Sequence, residues 1–555
     1  MNILIYTGNH YTTFSMSTWR DQGATGAINS TLELAQLLVK KGHQVTVSGD
    51  VTDEESDGIT FTATSSLEAG THYDAVIAVS YIHYLKELDQ REVTFDKSML
   101  WIHQYAPYGW WRGELLDQAG ANEFRDPRMT WVVMLSDIQA RNMCRKYPYA
   151  TRKVKLIGSA VDADIFKSTK KKPNSFITCQ PPHKGLDTLL SIWPNVRELL
   201  PDATLTVALP YTGNAEEQIF NEEIDGVTYA GSLSRPALAN EIATSEYWLN
   251  PGDHIEEFGL TALEMMAGGV KIVSTDKGFH KHLLADKASI IDTSDGDIES
   301  ASITALRYYL DNPDIAQEHR ERCAEFVRGE NWDSRYESWL ELLTSEPAAF
   351  IKHKALYTYF DDPAAWKERF LSYGARTKEW ELIVDEPFDN CFSFQLFSEE
   401  FCQLIRDEAE HSQAWTTDRH QNYPTTDMLL QVLDLEDTYR QILEEYVVPM
   451  ASTMWELGTA WAKFRAETFL AKYTPKAQGH LSIHHDESDI TCLIQLSDLH
   501  EYEGGGTFFK RQKKLIKNGI GYATVHPGNI THMHGGRAIS KGLRYILVSF
   551  IHRNR

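Results

Sequence analysis

What this chain lacks narrows its possibilities first. It has no Cys-x-x-C, and its six cysteines stand apart at 144, 179, 323, 391, 402 and 492. That is the pattern of reduced thiols, and it excludes a disulfide framework or a zinc knuckle. No apolar run approaches the roughly 20 residues that cross a bilayer. The opening MNILIYTGNH has neither the basic n-region nor the long h-region of a secretory signal. A cytoplasmic protein without a membrane anchor is therefore expected. Positive charge is scarce as well: 54 Lys and Arg face 78 Asp and Glu, for a formal charge of −24. Nucleic-acid backbones are bound by clustered cations, so a nucleic acid is not the expected partner. Small anions in local basic pockets, or a basic protein substrate, remain compatible with that charge.

What is present is a long globular chain. Its 555 residues, 42% hydrophobic and 11% aromatic, exceed one ordinary core, so several domains are expected. In the first third, the apolar runs MNILIY, HQVTVSG, YDAVIAVS, MLWIHQY and WVVMLS alternate with helical patterns such as INSTLELAQLLVKKGH. Apolar runs of this kind suit strands buried on both faces of a parallel sheet. A second β-α set starts near SFITCQ and runs through ATLTVALP, VTYAGS, EYWLNP and VKIVST to the helical NWDSRYESWLELL. Two doubly wound α/β domains follow, over 1–165 and 166–344. Residues 345–384, rich in aromatics and charge, read as a packed helical connector. From 385 to 555 the texture changes to strands without intervening helices, AETFLAKY, TCLIQL, GTFFKR, YATVH and YILVSFIH, separated by EGGG and HPGN turns. This predicts an antiparallel β domain behind the helix SEEFCQLIRDEAEH.

Within that last domain, GHLSIHHDESD holds His484-x-Asp486. Alone the pair means little among 21 histidines, and a surface turn would explain it. The wider set says more: His534 lies 50 residues on, and Arg544 follows 10 later on GLRYILVSF. Two histidines and one carboxylate on one face of a metal leave three positions open, as in non-haem Fe(II) oxygenases. A bidentate 2-oxo acid and O₂ fit those positions, and the planar fork of Arg544 suits the distant carboxylate of 2-oxoglutarate. His484 is chosen over His485 because alternate strand residues share a face, which puts His484 with Asp486. The same parity does not separate His532 from His534.

The stretches YPTTDMLLQVLDLE, FLAKYTPKAQGHLSIHHDES, YEGGGTFF, GYATVHPGNITHMHGG and GLRYILVSF together resemble the catalytic domain of procollagen lysyl hydroxylases. The resemblance implies a double-stranded β-helix (jelly-roll) dioxygenase over 385–555. It implies iron ligands at His484, Asp486 and His534, a 2-oxoglutarate arginine at Arg544, and Tyr473 near the co-substrate. It further implies Fe(II), 2-oxoglutarate, O₂ and ascorbate as cofactors, and weakly a homodimer. The expected substrate is a lysine-containing protein or peptide, with a collagen-like one as the natural candidate.

The second informative stretch is NPGDHIEEFGLTALEMMAGGVKIVST, with Glu256 and Glu264. Two glutamates at that spacing are common on any helix. In this context, with DQGATGAINSTLELAQLL, WIHQY, KVKLIGSAVDADIF and HKGLDTLL, the region 1–344 resembles retaining GT-B glycosyltransferases of the family 4 kind. The resemblance implies a GT-B pair of Rossmann-like domains, acceptor side first and nucleotide-sugar side second. Lys184 would contact the diphosphate, Glu264 the ribose and Glu256 the donor sugar. His103 would sit near the sugar, and Gly23 and Gly26 would let the first loop approach the phosphates. A helix N-terminus and a lysine can stabilise the leaving diphosphate, so no metal is needed and a UDP-sugar is the expected donor. Two positions depart from the family: FITCQPPHK carries no arginine before Lys184, and Glu257 replaces the usual glycine. Asp295-Gly-Asp297 reads as a solvated turn.

The combined expectation is a bifunctional enzyme, one part hydroxylating lysine and the other glycosylating the new hydroxyl. Two alternatives stay open: a nucleic-acid base hydroxylase and glycosyltransferase, and an active hydroxylase with a degenerate sugar-binding module.

Overall fold

The computed structural model describes residues 1–8, 13–104, 123–166, 170–209, 223–345, 350–419, 423–458 and 463–553. It resolves into two compact units, Met1–Lys146 with Lys153–Glu346, and Tyr147–Arg152 with Pro347–Arg555.

The first unit holds two sheets. In the eight-stranded sheet the order is Glu54–Ser56, Ile59–Ala63, Gln44–Gly49, Asn2–Gly8, His72–Val79, Thr94–Ile102, Met129–Met134 and Val154–Leu156. Every pairing is parallel except the one between the first two. Ile3, Leu4, Ile5, Val76, Ile77, Leu100 and Val132 are fully buried, as strands covered by helices on both faces require. Helix Gly26–Lys40 makes the crossover between the first two strands in sequence and buries Ile28, Leu32, Ala35 and Leu38. The second sheet runs Val227–Gly231, Thr204–Ala208, Ser175–Thr178, Tyr247–Asn250, Lys271–Thr275 and Ser289–Ile291, all parallel. In each sheet the strand order reverses beside its first strand in sequence, which opens a crevice at the strands' C-terminal ends. Helix Trp332–Thr344 returns from the second sheet to the first, where Trp339 packs edge-on against Trp101 at 5.1 Å. This is the GT-B arrangement of two Rossmann-like halves.

The second unit is built on a seven-stranded antiparallel sheet. Its order is Asp385–Phe388, Cys391–Gln395, Tyr522–Pro527, Ile490–Gln495, Arg544–Arg553, Phe464–Tyr473 and Thr426–Leu429. Side chains alternate between its faces with period two. Leu470, Cys492, Ile494, Tyr545, Leu547 and Ile551 enter a core shared with the helices. Their neighbours Phe469, Ala471, Tyr473, Leu493, Ile546 and Val548 form a second cluster on the other face. That second face meets two small sheets, Lys514–Ile516 with Thr507–Phe509 and His534–Gly536, and Tyr502–Gly504 with Ile539–Gly542. From residue 350 on, the expected connector is helical at Pro363–Phe370, Tyr373–Thr377 and Trp380–Ile383. Its Leu356, Tyr359, Trp366 and Phe370 are buried in the same core as helix Glu399–Ser412. A fully buried Glu408 ties the stretch down, accepting from the backbone of Lys352 and His353 and from Arg152 Nη2 at 2.9 Å.

All six cysteines are free. Among the described residues no helix is long and apolar enough to cross a membrane.

Candidate active sites

In the second unit, one ligand atom each from His484, Asp486 and His534 lies within 4.8 Å of the others. The segment carrying His484 and Asp486 is not a regular strand. It is extended through individual bonds: His484 and His534 exchange both backbone hydrogen bonds, and the Asp486 amide donates to Gly528 O. The close approach requires glycine at 535, where a Cβ would meet Leu481 O at 2.7 Å. His484 and Asp486, the pair that strand parity picks out, come together in a segment that only partly behaves as a strand.

Each imidazole is held the same way. His484 Nδ1 donates to Ser482 O at 2.7 Å, and His534 Nδ1 to His532 O at 3.0 Å. With the proton on Nδ1, each Nε2 presents a lone pair. The two Nε2 atoms stand 3.1 and 3.6 Å from the carboxylate oxygens of Asp486. Donors in adjacent positions around an octahedral ion, at bonds of about 2.1 Å, lie about 3 Å apart. The donor set therefore fits a divalent first-row metal. Thr491 Oγ1 donates to Asp486 Oδ2 at 2.7 Å and fixes the carboxylate. Burial works against the charge on Asp486, but His534 and His484 overcome it and hold the carboxyl well below its ordinary range.

The set opens on a cavity of about 400 Å³ whose lining includes Tyr473, Thr507 and Arg544. Arg544 is 5% exposed. Its guanidinium lies over the Tyr473 ring at 5.5 Å, and its polar partners are Gln495 Oε1 at 3.3 Å and Thr507 Oγ1 at 3.5 Å. Tyr473 and Arg544 are register partners on adjacent strands. Among the described residues no carboxylate pairs with Arg544, so a buried cation faces the cavity uncompensated.

In the first unit the expected residues fall into two groups. Lys184 Nζ stands 3.9 Å from Glu256 Oε2, which also pairs with His254 Nε2 at 2.6 Å. Burial opposes the charge on Glu256, yet His254 and Lys184 bring its carboxyl down to about 2. The other group lines a cavity of about 130 Å³: Gly23, Gly26, Cys179, Arg235 and Glu264 among others. Gly23 is left-handed (φ 72°), and a Cβ there would meet Leu233 O at 2.3 Å. Gly26 opens helix Gly26–Lys40. Glu264 is ion-paired with Arg235, whose other nitrogen reaches Glu33 Oε1 at 3.2 Å; Trp332 Nε1 donates to Glu33 Oε2 at 2.7 Å. Burial opposes the charge on Arg235, but the two glutamates keep it protonated.

His103 joins neither group. It lies just past strand Thr94–Ile102, its ring 4.1 Å from Trp101 and its Nε2 enclosed without a partner among the described residues. Burial brings it down to about 3. Tyr105 of the WIHQY motif and the side chain of His183 lie outside the described residues. Glu257, where the resemblance expects glycine, has both carboxyl oxygens buried without a hydrogen-bond partner. Burial, with Glu256 alongside, raises it to about 7. Asp297 caps helix Ile298–Asp311 by accepting from Ser300 N, which accounts for the Asp-Gly-Asp turn. A surface grouping of His72, Asp74 and Asp96 is explained by the His72–Asp96 contact and by Asp74 accepting from Asn2 N.

Sequence reasoning missed Arg235 and Glu33. They stand 202 residues apart; Glu33 lies within the quoted stretch DQGATGAINSTLELAQLL, but nothing in that stretch singles it out, and Arg235 lies in none of the quoted stretches.

Residues 162–329, which contain the second parallel sheet, match the family model of glycosyl transferases group 1. The curated relatives are of another kind. The chain is 33% identical over 207 residues to human procollagen-lysine,2-oxoglutarate 5-dioxygenase 2, covering 35% of this chain and 28% of that protein. It is 35% identical over 211 residues to the human multifunctional procollagen lysine hydroxylase and glycosyltransferase LH3, covering 36% and 28%. The match thus spans under a third of the length of those relatives. Among solved structures, sucrose-phosphate synthase from Thermosynechococcus elongatus aligns over 61% of this chain and 98% of its own, at 15% identity and a TM-score of 0.47. Anabaena HepE with UDP-glucose aligns over 62% and 100%, at 14% identity and a TM-score of 0.46.

Proposed function

We propose that the chain is a bifunctional enzyme: its second unit hydroxylates a peptidyl lysine, and its first transfers a sugar from a nucleotide-sugar to the resulting hydroxyl. The observation that carries the hydroxylase half is the His484–Asp486–His534 set, with both Nε2 atoms turned toward the Asp486 carboxylate, sharing a cavity with Arg544, which pairs with no carboxylate among the described residues. The antiparallel sheets of the second unit are read as the double-stranded β-helix of 2-oxoglutarate dioxygenases. The curated relatives support the lysine substrate, and the name of one couples the two activities.

Hydroxylation consumes 2-oxoglutarate, O₂ and a lysine C–H bond; one oxygen enters the lysine, the other enters succinate, and CO₂ leaves. Fe(II) held by His484, Asp486 and His534, and kept reduced by ascorbate, would supply the activation of O₂. The remaining work belongs to the chain's own residues. Arg544 pairs with the far carboxylate of 2-oxoglutarate, and Gln495 and Thr507 hold its fork in plane. Thr491 keeps the Asp486 carboxylate from rotating. Phe469, Val548 and Phe550 form an apolar wall of the cavity that shields the reacting carbon from water.

In the transferase half, the acceptor hydroxyl replaces the nucleoside diphosphate at the sugar's anomeric carbon, and the hydroxyl proton leaves. Lys184 and the N-terminus of helix Leu260–Ala267 offset the charge of the departing diphosphate. Glu256 orients the donor sugar and Glu264 receives the ribose hydroxyls. One observation favours a second reading of this half: Glu264 is already engaged by Arg235, which suits a module that binds sugars without transferring them.

Mass spectrometry of Gly-X-Lys peptides incubated with Fe(II), ascorbate and 2-oxoglutarate, with and without UDP-sugars, tests both halves. One added oxygen, followed by a hexose only with both substrate sets, is expected. Oxygen without hexose would select the second reading, and an unmodified lysine would refute the hydroxylase assignment.

A further inference from the structure

We infer that Glu487, at the mouth of the metal-site cavity, receives the ε-ammonium of the substrate lysine, with the Tyr423 ring as its second contact. This rests on the lysine-hydroxylase reading above and names the groups that would select lysine. Two carboxylates line the cavity among the described residues, Asp486 and Glu487. Asp486 is committed, its oxygens facing His484, His534 and Thr491. Glu487 is exposed and has neither a hydrogen bond nor an ion pair among the described residues.

The segment is not a regular strand, and its four consecutive residues His484, His485, Asp486 and Glu487 all line this cavity. Glu487 itself has a left-handed backbone, φ 57°, a conformation uncommon outside glycine. A free carboxylate is presented beside the metal ligand.

Lysine chemistry demands an acceptor at that place. In hydroxylation at C5, one methylene separates the reacting carbon from the ammonium, so the counter-charge must lie close to the ligand set. Phe469, Val548 and Phe550 offer an apolar wall for the methylenes. Tyr423, 42% exposed, lies with its ring 5.1 Å from that of His484, and an aromatic face attracts a cation. Arg419 also lines the mouth, but it is held by Asp427 at 2.7 Å and Glu467 at 2.5 Å, so it does not cancel Glu487.

The test compares the full-length wild type with Glu487→Gln and Glu487→Lys. Calorimetry on the metal-free protein measures binding of a Gly-X-Lys peptide and of its norleucine counterpart, which lacks the charge. Steady-state hydroxylation of the lysine peptide gives KM. The wild type should prefer lysine by about fivefold, as expected for one solvent-exposed ion pair. Glu487→Gln should lose that preference and raise KM by about the same factor, and Glu487→Lys should invert it. A Gln variant that keeps the wild-type preference overturns the assignment. So does a Gln variant whose Co(II)-substituted spectrum shifts, because the effect would then pass through Asp486. A wild type that hydroxylates no lysyl peptide would instead refute the proposed function, and is told apart by the absence of wild-type turnover.

Discussion

Arg544 and Arg235 are both buried arginines beside a cavity, and they differ in company. Arg544 has an amide and a hydroxyl as partners, whereas Arg235 is clamped between Glu33 and Glu264. A buried cation without a counter-charge is costly unless a ligand supplies one. The second unit therefore holds its site open for an anion. In the first unit the charge of Arg235 is satisfied internally, and under the proposed function a ribose would compete for Glu264 with a salt bridge already made. Burial alone does not mark an arginine as a ligand-binding group; what matters is whether its partners carry the opposite charge.

That contrast can be broken at several points. The largest effect is expected at the metal set. Asp486→Asn should lower divalent-metal affinity by more than about 100-fold and abolish lysine hydroxylation, with nucleotide-sugar binding retained; calorimetry with each ligand separates the two. Next, Arg235→Met should destabilise the first unit by about 3–5 kcal/mol, because two buried carboxylates lose their cation. The denaturation midpoint reads this, and adding Glu33→Gln should restore part of the loss. Arg544→Ala should behave in the opposite manner. No carboxylate is stranded, so stability should hold, while the KM for 2-oxoglutarate rises by the ~1.5–3 kcal/mol of a charge-assisted contact. Equal stability losses in the two arginine variants would dissolve the comparison.

The smallest effect concerns Glu257. Its folded pKa of about 7 exceeds the ordinary value of 4.5, so the native state binds an extra proton between those limits. Stability from this group is therefore full below pH 4.5 and lost as pH rises through 7. Glu257→Gln should match the wild type at pH 5 and exceed it by about 1 kcal/mol at pH 8, measured by urea unfolding at the two pH values.

Much of this was legible in the sequence because it rests on local periodicity. Both parallel sheets follow from apolar runs such as NILIY and YWLN, each a strand in the structure. The face of Arg544 follows from period two, since Ile546 and Val548 enter the same cluster. The segment 481–489 was less legible. Its extended form depends on hydrogen bonds to residues 528, 534 and 536, which local propensity does not encode. The 345–384 stretch reads as a packed helical connector because it is rich in aromatics and charge, but its packing partner was not legible: Trp366 lies 5.8 Å from Phe401 in one core. The Glu33–Arg235–Glu264 network was invisible because only the crossing of the two halves brings it together. His103 could be placed at a strand end, but its enclosure against Trp101 could not.

The two histidines of the His484–Asp486–His534 set share one more property. Each is oriented by a main-chain carbonyl two residues upstream, Ser482 for one and His532 for the other. Every amino acid supplies that carbonyl, so no exchange of side chain at 482 or 532 deletes it. The aim of the imidazoles is thus set by the backbone path and not by the side chains at 482 and 532. Two short stretches 50 residues apart can then accept exchange at those positions while His484 and His534 keep their aim.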